Sequence, residues 1–310
     1  MINKKTDSFT LIEILVVIVV IGILSSFIFV GLNSISGSAT TAKTQAWANS
    51  LKNAGLLSIV SEYKFEGPNN SGNANTDHVK DSWGANHGAV PTPPTVLTGS
   101  CALGKCLSFS GSQFVTITDS TTLNLGTKMS AFIWVKGATQ TDDRGIFGQY
   151  EVTTANQKCW IIATTTTALK VTLADSTGAS ASKTYTSAQS IFDSKWHYVG
   201  FTYTVNTLKL FIDGQDVTSA ATKSPDTAMT TLSNPGAHAS IGSYLTTANA
   251  IYNGFNGQLD DAIIFSEAIS ISEVQRQYFS GLNSLLAKGE ITNEEYNQRI
   301  SVLSDSLGSK

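Results

Sequence analysis

Residues 196–214 read WHYVGFTYTVNTLKLFIDG. They hold two short runs of β-branched and aromatic residues, Trp196–Thr204 and Leu208–Ile212, closed by Asp213-Gly214. An Asp-Gly pair after such a run predicts a type I′ hairpin turn, which needs positive φ at both central residues. The same texture extends in both directions. Strands are expected at Ile59–Phe65, Gln113–Thr118, Met129–Lys136, Gly145–Tyr150, Cys159–Ala163 and Ala168–Leu173, and again at Ala239–Tyr244 and Phe255–Phe265. Residues 58–270 contain only 28 charged side chains but 54 Ser and Thr, and no helix-length periodicity. They predict an all-β sandwich of about a dozen strands.

Low charge extends to the whole chain, where 14% of 310 residues are Asp, Glu, Lys or Arg, against roughly 25% in an average soluble protein. Twenty bases against 23 acids give a net charge of −3. That balance argues against a nucleic-acid surface, a polybasic membrane tether or a highly charged disordered chain. The apolar residues concentrate at Phe9–Leu32, whose only charge is Glu13. As a helix this run is about 36 Å long, enough to cross a ~30 Å hydrocarbon core with some tilt, and longer than a signal-peptide core of about 7–15 residues. Lys4 and Lys5 ahead of it predict a cytoplasmic N-terminus and an external remainder. Ala42, Ala46, Trp47, Leu51, Ala54 and Leu57 continue a helical face beyond the span, one suited to packing on a globular domain.

A carboxylate within an apolar span needs a partner or a route back to the headgroups. Around Glu13 the sequence Ser8-Phe9-Thr10-Leu11-Ile12-Glu13 follows a short polar leader and precedes an unbroken apolar helix. This arrangement resembles the prepilin-processing motif of type IV pilins and pseudopilins, over Met1 to about Val60. The resemblance implies cleavage between Ser8 and Phe9 by a prepilin peptidase, and methylation of the new Phe9 amine. Ser8 stands where that family usually has glycine. Losing Lys4, Lys5 and Asp7 with the leader would leave 18 bases and 22 acids, a net −4. It would also set an ammonium four residues from Glu13, able to meet a neighbouring subunit's Glu13 in a low-dielectric filament core.

Within the β region a set of motifs recurs in order. Leu107-Ser108-Phe109-Ser110-Gly111 precedes Phe114-Val115-Thr116-Ile117 and Met129–Lys136. Trp196-His197-Tyr198-Val199, Leu210–Gly214 and Phe255–Ala262 follow. Together they resemble the laminin G-like, concanavalin A-like jelly-roll family, whose members commonly bind carbohydrate or protein ligands and often hold a structural calcium ion. The resemblance makes Asp260 the calcium candidate, with backbone carbonyls supplying other ligands. Hydrogen bonding at a strand end is the alternative for Asp260 and Asp261. The loop Ser110-Gly111-Ser112-Gln113 lacks the acids that family members often place there.

Catalysis finds little support. A retaining glycosidase needs two carboxyls about 5–5.5 Å apart. Asp142-Asp143 and Asp260-Asp261 are adjacent pairs, which point to opposite faces of a regular strand. His78, His87, His197 and His238 lack metal-ligand spacing. Cys101 and Cys106 are suited to closing a small loop through Gly104 in an oxidising exterior, leaving Cys159 as a buried strand residue. Three cysteines allow three pairings, and sequence does not choose among them.

Charge returns after residue 270. Ser270-Ile-Ser-Glu273 forms a capping box ahead of Val274, Tyr278, Leu282, Leu285 and Leu286. Lys288-Gly289 stops that helix, and Thr292-x-x-Glu295 starts another carrying Tyr296, Ile300, Leu303 and Leu307. The expected architecture is a leader (1–8), a pilin-type helix (9–57), a mainly β jelly-roll sandwich (58–270) and an αα-hairpin (271–310) for packing or oligomerisation. The expected function is that of a minor pilin or pseudopilin-like subunit displaying an adhesion module. Its partners would be prepilin peptidase, other pilin subunits, the inner membrane, and a glycan or surface-protein ligand. A single-pass, membrane-anchored lectin is the alternative, and a glycan-active enzyme a more distant one.

Overall fold

The computed structural model describes residues 58–68, 72–154, 156–175 and 181–308, the side chains of 181–182 and 304–308 excepted. The chain divides into two units, residues 1–54 and 55–310, and everything described belongs to the second. The apolar run at 9–32 lies outside the described residues. Among the described residues no helix is long and apolar enough to cross a membrane.

Eighteen strands among the described residues form two eight-stranded antiparallel sheets and a two-stranded ribbon. The first sheet runs β13 (Gln215–Asp216), β12 (Thr207–Ile212), β11 (Trp196–Thr204), β6 (Lys128–Lys136), β18 (Asn256–Phe265), β4 (Cys106–Ser110) and β3 (Thr95–Leu97), with β1 (Ile59–Tyr63) also paired to β18. The second runs β14 (Thr222–Asp226), β10 (Ala181–Ser190), β9 (Ala168–Ala174), β8 (Lys158–Thr164), β7 (Gly145–Tyr150), β15 (Ala239–Ile241), β5 (Phe114–Ile117) and β2 (Gly88–Thr92). The ribbon pairs β16 (Tyr244–Leu245) with β17 (Ile251–Tyr252). Alternate residues of the two sheets, such as Met129, Ala131, Ile133 and Val135 against Trp160, Ile162, Val171 and Leu173, fill one core between them. This is a mainly β, jelly-roll-like sandwich.

Asp213 and Gly214 take φ of 51° and 79°, and Ile212 pairs directly with Gln215. Both positive φ values are those of the I′ turn. Other elements depart from the sequence expectation. The β1 strand stops at Tyr63, and the chain turns at Phe65 with φ 59°. The run 239–244 splits at Gly242, φ 86°, into β15 and β16. The strands β2, β3, β10, β13, β14 and β17 were not expected, because they are short, edge-placed or rich in Ser, Thr and Lys.

All seven residues of Met129–Val135 are buried, so β6 is covered on both faces. The cover is helical. Helix α1 (Ile271–Ala287) and helix α2 (Asn293–Gly308) form the expected hairpin. Val274, Tyr278, Leu282 and Leu285 of α1, with Leu303 of α2, make a second apolar cluster with Phe132, Trp134, Tyr198, Phe211 and Phe265 of the first sheet. Half of the capping box forms: Ser270 Oγ accepts from Glu273 N–H at 3.3 Å. The Glu273 carboxylate turns instead to Arg276 and Gln277. At the other end Gly289, φ 73°, lets Glu290 N–H reach Leu285 O at 2.9 Å and its own N–H reach Leu286 O at 3.0 Å. That pair of bonds is a Schellman cap.

Candidate functional site

Ser8, Phe9 and Glu13 lie outside the described residues, as does the Leu307 side chain. Asp260 is described and fully buried. It sits at a bulge in β18, where the neighbouring strand changes from β4 to β1 and Asp261 takes φ 44°. Asp260 Oδ2 accepts from Leu103 N–H at 2.7 Å. Leu103 belongs to a loop closed by a Cys101–Cys106 disulfide. Lys288, the C-cap of α1, donates to Cys101 O at 3.3 Å and Gly104 O at 3.1 Å, fixing the loop from the helical side. Burial and the neighbouring Asp261 push the Asp260 carboxyl well above the usual range, against the Leu103 hydrogen bond. Burial pushes Asp261 up to about 7.

A calcium ion takes six to eight oxygen ligands. Among the described residues no group of three or more His, Cys, Asp or Glu side chains is gathered to hold a metal. Asp260 has one oxygen committed to an amide and the other buried without a hydrogen-bond partner. The Asp260 oxygen that is bonded anchors the disulfide loop through Leu103 N–H, the hydrogen bonding raised as the alternative for this residue. Cys159 is free and buried.

The remaining candidate groups are held in separate places. Asp142 pairs with Arg144 at 3.2 Å, and Asp143 pairs with Lys170. His78 Nδ1 lies 2.8 Å from Phe65 O, and His87 Nδ1 accepts from Asp81 N–H at 3.2 Å.

With the outer face of the first sheet covered by α1 and α2, the second sheet carries the other outer face. Register places Ile161, Ala163, Lys170, Thr172 and Thr184 there, on the side opposite Trp160, Ile162 and Val171. Tyr244 of the ribbon packs on Ile161 and Ala163. The rings of Tyr150 and Tyr244 meet edge-on at 5.9 Å, and Lys158 Nζ lies 5.8 Å from the Tyr150 centroid. Tyr252 is 46% exposed beside them on β17. Burial holds the phenols of Tyr150 and Tyr244 above their ordinary range, so both remain hydrogen-bond donors. Aromatic faces, hydroxyls and a Lys–Asp pair on one sheet face suit a polar ligand with an apolar side.

A second concavity, about 230 Å³, opens where the start of β11 and the β12–β13 turn meet α2. His197 lines it, with Nδ1 2.7 Å from Asp213 Oδ2 and Nε2 3.1 Å from Asp193 Oδ1. Burial opposes charge on this imidazole, but the two carboxylates outweigh it and raise the pKa. Asp193 is correspondingly lowered, its own burial overcome by the Lys195 N–H and by His197. Arg299 of α2 donates to Trp196 O at 2.8 Å and to Glu295 at 2.9 Å, and Lys195 reaches Glu295 at 3.3 Å. Sequence marked His197 only as one of four histidines without metal-ligand spacing and Glu295 only as a helix-start residue, and it offered no sign of Asp193 or Arg299. They come from a loop and a distant helix, and no motif spacing links them.

A family model described as the concanavalin A-like lectin/glucanases superfamily matches residues 109–275, and the chain belongs to that superfamily. The prokaryotic N-terminal methylation motif, the prepilin-type signature, matches residues 3–29. No curated protein matches the chain. Among solved structures, the binding domain of Paraclostridial Mosquitocidal Protein 1 aligns at 13% identity and TM-score 0.55, over 74% of this chain and 53% of that one. The Botulinum neurotoxin serotype D ligand-binding domain in complex with N-acetylneuraminic acid aligns at 14% identity and TM-score 0.53, over 75% and 53%. The serotype G binding domain aligns at 14% identity and TM-score 0.51, over 72% and 51%. This chain therefore spans about half the length of each, and the likeness is one of fold.

Proposed function

We propose that the chain is a minor pilin or pseudopilin-like subunit of a type IV filament or related secretion system, displaying a non-catalytic glycan- or protein-binding module outside the cell. The observation that carries this reading is the order of the matched segments, a methylation motif at 3–29 ahead of a lectin-superfamily domain at 109–275. In this reading prepilin peptidase cuts between Ser8 and Phe9. The subunit waits in the inner membrane with its C-terminal unit outside, and Glu13 receives the Phe9 ammonium of a neighbouring pilin subunit. The ligand face is the outer face of the second sheet, with Tyr150 as its aromatic platform. A domain of the same fold in complex with N-acetylneuraminic acid supports a sugar ligand.

Co-expression with a prepilin peptidase followed by intact-mass measurement tests maturation. The expected species begins at N-methyl-Phe9, and Glu13→Val should still insert in the membrane but fail to enter filaments. A chain that keeps Met1 would instead support a non-polymerising, membrane-anchored lectin, the reading that Ser8 in place of glycine favours. Wild-type assembly by Glu13→Val would remove the role given to that carboxylate.

A further inference from the structure

We infer that the concavity between β11, the β12–β13 turn and α2 is a second binding site, for a single neutral, pyranose-sized polyol. It is separate from the outer face of the second sheet. Much of its wall, from Tyr278 to Val302, lies beyond residue 275, where the superfamily match ends. The site exists because α2 is seated there, so its ligand does not follow from superfamily membership.

Charge selects against ionic ligands. Three acids, Asp193, Asp213 and Glu295, face three bases, Lys195, Arg299 and a His197 held toward its charged form. Each acid already has a basic partner within 3.3 Å. Because every acid is held by a basic partner, the set leaves no unpaired charge for an ionic ligand. The same set is dense in directional donors and acceptors, which suits hydroxyl groups that both donate and accept.

Hydrogen-bonding capacity is left over at the rim. The Gln189 and Gln298 side-chain amides line the concavity and make no hydrogen bond to other described residues, whereas the Gln215 amide donates to Val302 O at 3.0 Å. Each free amide offers two donors and an acceptor. Half-exposed Val302 adds an apolar patch to the wall, over the buried Ile212 and Tyr278. A pyranose has the matching pattern, a rim of hydroxyls around a C–H face. Size narrows the ligand further. A concavity of about 230 Å³ is at the scale of a single ring, and its open side would leave the rest of a longer glycan in solvent.

The test uses the full chain in detergent micelles, titrated calorimetrically with the methyl glycosides of glucose, galactose, mannose and N-acetylglucosamine. Glucuronic acid and glucosamine serve as anionic and cationic controls. At least one neutral glycoside should bind saturably in the millimolar range or tighter, and more tightly than both controls. Gln298→Ala, an exposed change on α2, should weaken that binding about fivefold or more through its lost hydrogen bonds, with the melting temperature unchanged. Tyr150→Ala should leave it intact. Absence of saturable binding, binding indifferent to Gln298→Ala, or binding lost only in Tyr150→Ala would each overturn the second site. None of these outcomes bears on maturation at Phe9, which is read by mass.

Discussion

Replacing Gly281 by alanine sets two effects of opposite sign against each other. Gly281 lies in the middle of α1, where alanine would gain roughly 1 kcal/mol in helix propensity. The added carbon, however, would stand 2.1 Å from Trp134 Cζ2, 2.5 Å from Cε2 and 2.9 Å from Nε1. Carbon atoms pack at roughly 3.5–4.0 Å, so helix and indole would have to separate by about 1.4 Å. The indole has little room to turn. It is buried, stacked at 5.7 Å on Tyr278 and 5.3 Å from the Tyr198 ring. Overpacking of a filled core costs about 1–3 kcal/mol, and an overlap this deep belongs at the upper end. The net is a loss of about 2 kcal/mol. At roughly 2–4 °C per kcal/mol for a unit of this size, the melting temperature should fall by about 4–8 °C. Thermal melting by circular dichroism reads the outcome. Ser280→Ala, exposed in the same turn, supplies the propensity gain without the contact and should hold or raise the melting temperature. A Gly281→Ala protein melting at or above wild type would refute the close seating of α1 on Trp134.

Two further predictions concern titration. His197 has a raised native pKa. Its contribution is therefore fully present below the unfolded value of about 6.5, and is lost as pH rises through the native value. Stability should decline through that window, and His197→Gln should flatten the decline; an identical slope in the variant would dismiss the Asp193–His197–Asp213 bridge. The Asp260 and Asp261 carboxyls are also raised, so their ionisation destabilises the fold as pH climbs from about 4. Asp260→Asn keeps an acceptor for Leu103 N–H without a charge. It should match wild type near pH 4 and melt higher than wild type at pH 7, and millimolar calcium should leave the wild-type melting temperature unmoved. A calcium-dependent rise abolished by Asp260→Asn would restore the metal site.

The sandwich was legible where side chains carry the pattern. Trp196–Thr204 and Gly145–Tyr150 match their strands to the residue, and Asp213-Gly214 marked its turn because only a few residue types tolerate two positive φ values. Ala181–Ser190 was illegible as the longest strand of its sheet: its backbone completes ladders with both neighbours while its Ser, Thr and Lys residues give no apolar signature. The concavity was hidden for a different reason. Asp193 and His197 sit four residues apart, but Asp213 arrives through a hairpin and Glu295 and Arg299 through the chain's return over the sheet. Asp260 was conspicuous for its charge. Its environment, set by Leu103 and the Cys101–Cys106 loop more than 150 positions away, gives it a hydrogen-bonding role.

Residues 271–310 hold nine charges in forty positions, against 28 in the preceding 213. Several of those charges point into the seam between hairpin and sheet. Lys288 grips two carbonyls of the disulfide loop, Arg299 reaches Trp196 O, and Glu295 meets Lys195. Beneath them lies an apolar bed of Phe132, Trp134, Tyr198 and Phe211. Apolar burial is non-directional, so this bed alone would accept α1 in several registers. The carbonyl and carboxylate partners are directional and flank the turn of the hairpin, Lys288 at the close of α1 and Glu295–Arg299 in the first half of α2. Together with the space left by Gly281 above Trp134, they fix one register. The consequence reaches function: a hairpin fixed in one place seals one sheet face permanently, builds the concavity at its own edge, and leaves the Tyr150 face as the broad surface the module can present.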